Sequence, residues 1–82
     1  MRDSSWSLPG KIVDILADVP RRRIYALRQD KNQVLVLDSS NFRQLAVLRT
    51  GNTPTQMAVT RDNRYMIVAN DNSQIASVFD LQ

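Results

Sequence analysis

The side chains most often used in catalysis and metal binding are missing from this 82-residue sequence or lack their usual partners. It contains no histidine and no cysteine, and all eight acidic residues are aspartate. General acid–base catalysis, nucleophilic catalysis and transition-metal binding usually depend on histidine, cysteine or paired carboxylates. Serine and threonine occur, but no evident base accompanies them that would activate a hydroxyl. The sequence therefore predicts a protein that is not an enzyme and has no metal or other cofactor.

The net charge of +3 has its densest patch at Arg21, Arg22 and Arg23. Such a cluster can bind phosphate, but this one directly precedes an apolar segment, as is typical of turn and strand-edge arginines that face solvent. The other basic residues are scattered among Asp and Asn. We therefore expect no nucleic-acid partner. We expect no membrane partner either, because no apolar stretch approaches the roughly 20 residues of a membrane span.

The elements that must position these residues are strands. Short segments rich in Val, Ile, Leu or aromatic residues alternate with hairpin-length spacers that contain Asp, Asn, Ser, Pro or Gly. No segment carries a sustained helical stripe. The sequence predicts an all-β protein with seven strands, at residues 11–17, 23–28, 33–38, 43–49, 55–60, 64–70 and 75–81.

The order of strands repeats after about 42 residues. With that shift, the segment 24–27 aligns with 66–69, and 36–38 aligns with 78–80. In the first strand the alignment is offset by one residue, so that Ile15 and Leu16 match Ala58 and Val59. A period of about 42 residues with four strands per period is that of a β-propeller blade.

The second repeat resembles the YVTN-type propeller family. The resemblance rests on Gly51 with Pro54, the apolar strand 57–59, the Asp62–Asn63 turn and the segments "IVAN" (67–70) and "VFD" (78–80). Asn63 stands where the family usually has glycine, and asparagine tolerates a positive φ. The resemblance implies propeller blades and a bacterial extracytoplasmic setting, although residues 1–10 lack the apolar stretch of a signal peptide. The family pattern leaves function open, because propellers bind, scaffold and catalyse.

The number of strands predicts that copies of the chain exchange a strand. We interpret residues 11–50 as a four-stranded first blade, 51–82 as a second blade with three strands, and 1–10 as an outer strand that completes the second blade of another copy. Such head-to-tail contacts close a ring, and we expect three or four chains, giving six or eight blades. The expected interface residues are Trp6, Leu8, Ile75, Val78 and Phe79.

The alternative function is a binding module for a glycan, a peptide or another polar ligand. In propellers the outer-to-inner and second-to-third strand loops share one face. The residues of those loops that could contact such a ligand are Arg28, Asp30, Lys31, Asn32, Asn70, Asp71 and Asn72. The competing interpretation is turn chemistry, in which Asn and Asp satisfy nearby backbone groups. Asp38 and Asp80 are expected to do this, whereas Asp14 is expected in a solvated channel. A fragment of a propeller enzyme is a minor alternative.

Overall fold

A computed structural model describes residues 10–71 and 76–82, and all regular secondary structure in these ranges is β-strand. Every predicted strand is confirmed, in chain order: β1 Ile12–Asp18, β2 Arg23–Arg28, β3 Gln33–Asp38, β4 Gln44–Arg49, β5 Pro54–Val59, β6 Tyr65–Asn70 and β7 Ser77–Asp80. In this part of the chain, no helix is present that is long and apolar enough to cross a membrane.

The strands form two antiparallel sheets in which each strand pairs with its neighbours along the chain. Within residues 10–71 and 76–82, the first sheet has four strands in the order β1-β2-β3-β4, and the second has three in the order β5-β6-β7. The prediction of an all-β fold built from hairpins is confirmed. The sheets fall within the segments 11–50 and 51–82 that the sequence analysis assigned to two blades.

The two sheets repeat one another residue by residue. Ile24 pairs with Leu37 in the first sheet, and Met66 pairs with Phe79 in the second, so both strands are shifted by 42 residues. A register irregularity lies at the start of the first strand of each sheet, between residues 12 and 14 in β1 and between 54 and 56 in β5. The 42-residue period therefore describes the backbone as well as the sequence.

The predicted alignment of the first strand was wrong by one residue. Ile15 lies opposite Ala26, and Met57 lies opposite Val68, which itself corresponds to Ala26. Ile15 therefore corresponds to Met57 rather than to Ala58. The error arose because apolar residues follow one another in both strands, so that sequence matching did not fix the register.

The main core lies between the two sheets. Strand residues alternate between faces, so one set of side chains from each sheet points into the interface. The buried members are Tyr25, Leu27, Val34, Val36, Met57, Met66 and Val68. Ala26, Leu35 and Leu37 form a second buried cluster on the opposite face of the first sheet.

Polar side chains stabilise the turns as expected. Asp38 Oδ1 accepts a hydrogen bond from Ser40 N at 2.8 Å, and Asp80 Oδ1 accepts one from Gln82 N at 3.0 Å. Asn63 has a φ of 63°, the left-handed conformation expected where asparagine replaces glycine. These turn predictions are confirmed.

Candidate functional site

Two of the predicted ligand-binding residues bind each other. Arg28 Nε and an Arg28 terminal nitrogen donate to the two carboxylate oxygens of Asp30, at 3.0 and 3.2 Å. Lys11 N also donates to Asp30 Oδ1, at 3.0 Å. The hydrogen bonds from Arg28, followed by that from Lys11, hold the pKa of Asp30 at about 2. A guanidinium already paired in this way is a weaker anchor for an anionic ligand than a free one.

The Gly10 backbone lies very close to the Arg28–Asp30 pair. Gly10 has a φ of 75°, and a Cβ atom at this position would overlap Arg28 Nε and the Asp30 carboxylate. Only glycine combines that conformation with that proximity at low cost.

Two predicted asparagines hold neighbouring loops together. Asn32, with a φ of 54°, accepts a hydrogen bond from Thr53 N at its Oδ1 (3.0 Å) and one from Thr50 N at its backbone oxygen (2.9 Å). Asn70 is buried and donates from Nδ2 to Ser77 Oγ at 3.2 Å. Both amides therefore connect separate segments of the chain, whereas the turn-chemistry interpretation expected contacts with nearby backbone groups.

The other predicted loop residues are exposed or lie outside the described ranges. Lys31 and Asp71 are exposed, and Asp71 N donates to Thr53 O at 2.8 Å. Asn72 lies outside the described residues. Ligand binding at this end of the sheets stays a prediction.

A buried polar cluster lies between the sheets and was not predicted from the sequence. The Asp18 side chain is fully buried at the end of β1. Its Oδ2 accepts hydrogen bonds from the Tyr25 hydroxyl at 2.6 Å and from Arg21 at 3.1 Å. Its Oδ1 accepts one from Asn63 of the second sheet at 3.4 Å. The cluster therefore links the turns of both repeats through a single carboxylate.

This cluster displaces the pKa values of Asp18 and Tyr25 in opposite directions. Burial alone would raise the pKa of Asp18, but the hydrogen bonds from Tyr25 and Arg21 and the charge of Arg21 outweigh it, so this pKa lies below its usual value. Burial and then the bond to Asp18 raise the pKa of Tyr25 to about 12. The stable arrangement is therefore a charged carboxylate that accepts from a neutral phenol.

The prediction that Arg21, Arg22 and Arg23 face solvent is wrong for Arg21. Its guanidinium joins Asp18, and its side chain is only 19% exposed, whereas Arg22 is exposed in the turn with a φ of 56°. The spacing Asp18–Arg21 was the available signal.

Asp14 provides a second polar link between the sheets. Its Oδ2 accepts a hydrogen bond from Met57 N at 2.8 Å, across the gap between β1 and β5. Its Oδ1 accepts from Ile15 N at 3.0 Å. Asp14 was expected in a solvated channel, but its carboxylate joins the first strands of the two sheets.

The expected interface residues divide between two faces. Val78 is 60% exposed on the outer face of the second sheet, while Phe79 points the other way and packs against the chain's own core. This follows from strand alternation, which places adjacent residues on opposite faces. Trp6, Leu8 and Ile75 lie outside the described residues.

Two open surfaces lie beside the second sheet. A cleft of about 250 Å³ separates the outer part of the first sheet from the end of β7, and its walls are Arg23, Tyr25, Val36, Ala46, Leu48, Asp80, Leu81 and Gln82. A shallower depression of about 330 Å³ lies on the outer face of the second sheet, on Gln56, Met57, Ala58, Ile67 and Ala69. The depression is largely apolar, whereas the cleft also has polar walls at Arg23, Asp80 and Gln82.

The fold also occurs in a known protein. Hydrazine synthase from Kuenenia stuttgartiensis contains a region similar to 87% of this chain, with a TM-score of 0.78 and 15% sequence identity. This chain spans about a fifth of that chain, since 21% of it is covered. At such low identity the likeness shows the fold alone. No protein-family model and no curated protein matches the sequence, so the YVTN-type resemblance stays a prediction.

Proposed function

We propose that this chain is a non-enzymatic, self-assembling β-propeller unit that contributes two blades and closes a ring with two or three further copies. Residues 3–8 of one copy add to β7 of the next as a fourth strand. Trp6 and Leu8 share one side of that strand and supply its apolar side chains. The contact is head-to-tail, and a ring forms if the rotation per copy closes.

The observation that carries the proposal is the open edge of β7. In the first sheet the corresponding strand, β3, has a partner on both sides, whereas β7 is paired only with β6 among the residues described. Leu81 N donates to Arg64 O at 2.7 Å, so by antiparallel alternation the N–H groups of Val78 and Asp80 point away from β6. Unpaired groups along a strand edge favour the addition of another strand.

The cleft beside β7 supports the same assignment. It lies where a fourth strand of the second sheet would approach the first sheet. Ala46 and Leu48 of β4 form one wall, and Leu81 forms the other. An added strand would therefore gain apolar contacts with both sheets as well as main-chain hydrogen bonds.

Proline substitution tests the edge directly. Asp80→Pro removes the outward N–H at a position where proline is compatible with an edge strand. The matched control Asp80→Ala removes the same carboxylate but keeps the N–H. We expect native mass spectrometry to find the ring for Asp80→Ala and single chains for Asp80→Pro. Equal masses for the two variants would show that strand addition at β7 does not hold the assembly together.

Deleting residues 1–8 tests the other half of the contact. The truncated chain is expected to remain folded by circular dichroism but to lose the ring. A truncated chain with the mass and melting temperature of the intact assembly would overturn the role of this segment.

A further inference from the structure

We infer that the cleft beside β7 is a pocket for an indole side chain and that Trp6 of another copy fills it. This inference rests on the proposed function, in which residues 3–8 add to β7, and it names the side chain that makes the site selective. In strand addition, main-chain hydrogen bonds accept many extended segments, whereas side-chain pockets discriminate between them. The register of the added strand and the walls of this cleft both point to tryptophan.

Gly10 and Gly51 fix the register of the added strand. A Cβ atom at Gly10 would overlap the Arg28 side chain, and one at Gly51 would lie 2.9 Å from Asn70 Nδ2. Arg28 and Asn70 are the last residues of β2 and β6, and they correspond under the 42-residue shift. Each glycine therefore occupies the same place in its repeat. The segment before Gly10 accordingly corresponds to β4, which precedes Gly51.

This register places Trp6 on the side of the added strand that faces the cleft. Counting back four residues from each glycine, Trp6 corresponds to Val47. Val47 pairs with Leu35, which corresponds to Ser77 under the 42-residue shift, so Trp6 would lie opposite Ser77. Ser77 is on the same side of β7 as Phe79, which packs against the core between the sheets. The indole would therefore point from β7 towards the first sheet, into the cleft.

The walls of the cleft suit a flat apolar ring that carries one polar atom. The indole N–H is a donor without an acceptor, and it usually finds a partner when the ring is buried. The Asp80 carboxylate and the Gln82 amide supply acceptors at the cleft, and Arg23 supplies a cation for the ring face. The apolar walls are Tyr25, Val36, Ala46, Leu48 and Leu81.

Tryptophan occurs only where the strand faces this cleft. The residues of the added strand that share the cleft side are Ser4, Trp6 and Leu8, and of these only Trp6 is aromatic. Its counterpart Val47 is 39% exposed on the other side of β4 from Ala46. The one tryptophan of the sequence therefore corresponds to a smaller residue in the repeat where no cleft lies beside it.

Fluorescence reports the burial of Trp6 directly, because it is the only tryptophan. We expect its emission maximum to move to shorter wavelength as the chain assembles on concentration, since the indole leaves water. Ala46→Glu places a charge in the cleft at an exposed position. This variant is expected to lose the shift and to associate about 30-fold less tightly, as for a central interface residue. Val19→Glu is the control, since Val19 is 79% exposed in the β1–β2 turn, outside the cleft.

A mixture tests whether the indole enters a different copy. Trp6→Ala keeps the cleft but has no tryptophan, while Ala46→Glu keeps Trp6 but has a blocked cleft. Excess Trp6→Ala added to Ala46→Glu is expected to restore the emission shift, because the remaining indole can then enter an unblocked cleft. A chain carrying both substitutions is the matched control, and its addition should leave the emission unchanged.

The outcomes separate this inference from the proposed function. If the unaltered chain assembles without an emission shift, or if Ala46→Glu shifts as the unaltered chain does, the indole pocket is wrong and strand exchange stands. If single chains already show the shift and Ala46→Glu removes it, Trp6 fills the cleft of its own chain and both proposals fail. If the mixture does not restore the shift, Trp6 does not enter the cleft of another copy. Ala46→Met, which narrows the cleft without a charge, repeats the comparison if Ala46→Glu does not fold.

Discussion

The two sheets share one backbone pattern but differ in what covers them. The first sheet has buried residues on both faces, and its third strand is paired on both sides. The second sheet has one face in the core and one face with Ile67 and Val78 exposed. Because the residues at these positions are apolar in both sheets, the difference lies in the surroundings and not in the sequence pattern. The exposed apolar face of the second sheet supports the proposal that the chain assembles with copies of itself.

The largest effect is expected from breaking the link between the two repeats at Asp18. Asp18→Ala leaves the Tyr25 hydroxyl and part of the Arg21 charge buried without their acceptor. We expect a loss of about 3 kcal/mol in the free energy of unfolding, measured by urea denaturation. Asp18→Asn, which keeps an acceptor oxygen, should lose less. Equal losses for both variants would show that the negative charge matters more than the hydrogen bonds.

A pair of identical residues sharpens the comparison between the sheets. Val36 and Val78 occupy corresponding positions, but Val36 is 4% exposed and Val78 is 60% exposed. Val36→Ala should lower the free energy of unfolding by about 2 kcal/mol, and Val78→Ala should change that of the single chain by less than about 0.5 kcal/mol. Val78→Ala should instead raise the concentration needed for assembly. If both variants lost similar free energies of unfolding in dilute, unassembled protein, the two positions would differ less than their exposure indicates.

The buried Tyr25 phenol predicts that the free energy of unfolding depends on pH in the alkaline range. Because the pKa of Tyr25 is raised to about 12 in the folded chain, its contribution is complete below pH 10 and is lost as the pH rises from 10 towards 12. The loss at the upper limit is on the order of 2 kcal/mol. Tyr25→Phe should flatten this part of the curve of unfolding free energy against pH.

At acidic pH the same cluster makes the free energy of unfolding fall as the pH decreases. The pKa of Asp18 is lowered, so its contribution is present above the ordinary carboxyl value of 3.8 and is lost as the pH falls below it. Asp18→Asn should remove that part of the acid sensitivity. An unchanged acid limb in this variant would assign the sensitivity to other carboxylates.

The smallest effect is expected at the exposed Arg28–Asp30 pair. The pKa of Asp30, about 2 in the folded chain, should rise towards its ordinary value in Arg28→Gln when followed by NMR titration. The melting temperature should hardly change, since surface ion pairs contribute little to stability. A large drop in melting temperature would show that this pair also holds the loops together.

Much of the fold could be predicted because strands are recognisable from alternating apolar residues and from the residue types of the turns between them. The seven strands, the 42-residue period and the roles of Asp38, Asp80 and Asn63 all followed from local residue types. The register of β1 did not, because a run of apolar residues matches its repeat equally well with a shift of one.

The candidate sites were harder to predict because they depend on contacts between distant segments. Asp18 and Asn63 meet only when the two sheets stack, and Asp14 reaches Met57 across the same gap. Likewise, the mutual pairing of Arg28 and Asp30 depends on how the β2–β3 turn folds. Sequence spacing shows which groups are present, but tertiary contacts decide whether they are satisfied or free to bind a ligand.

The mass of the unaltered chain in solution tests the central claim most directly. Native mass spectrometry across a dilution series should find a particle of three or four times the 9.4 kDa chain mass, converting to single chains without stable dimers. A particle of 9.4 kDa at every concentration, with cooperative thermal unfolding, would contradict the account.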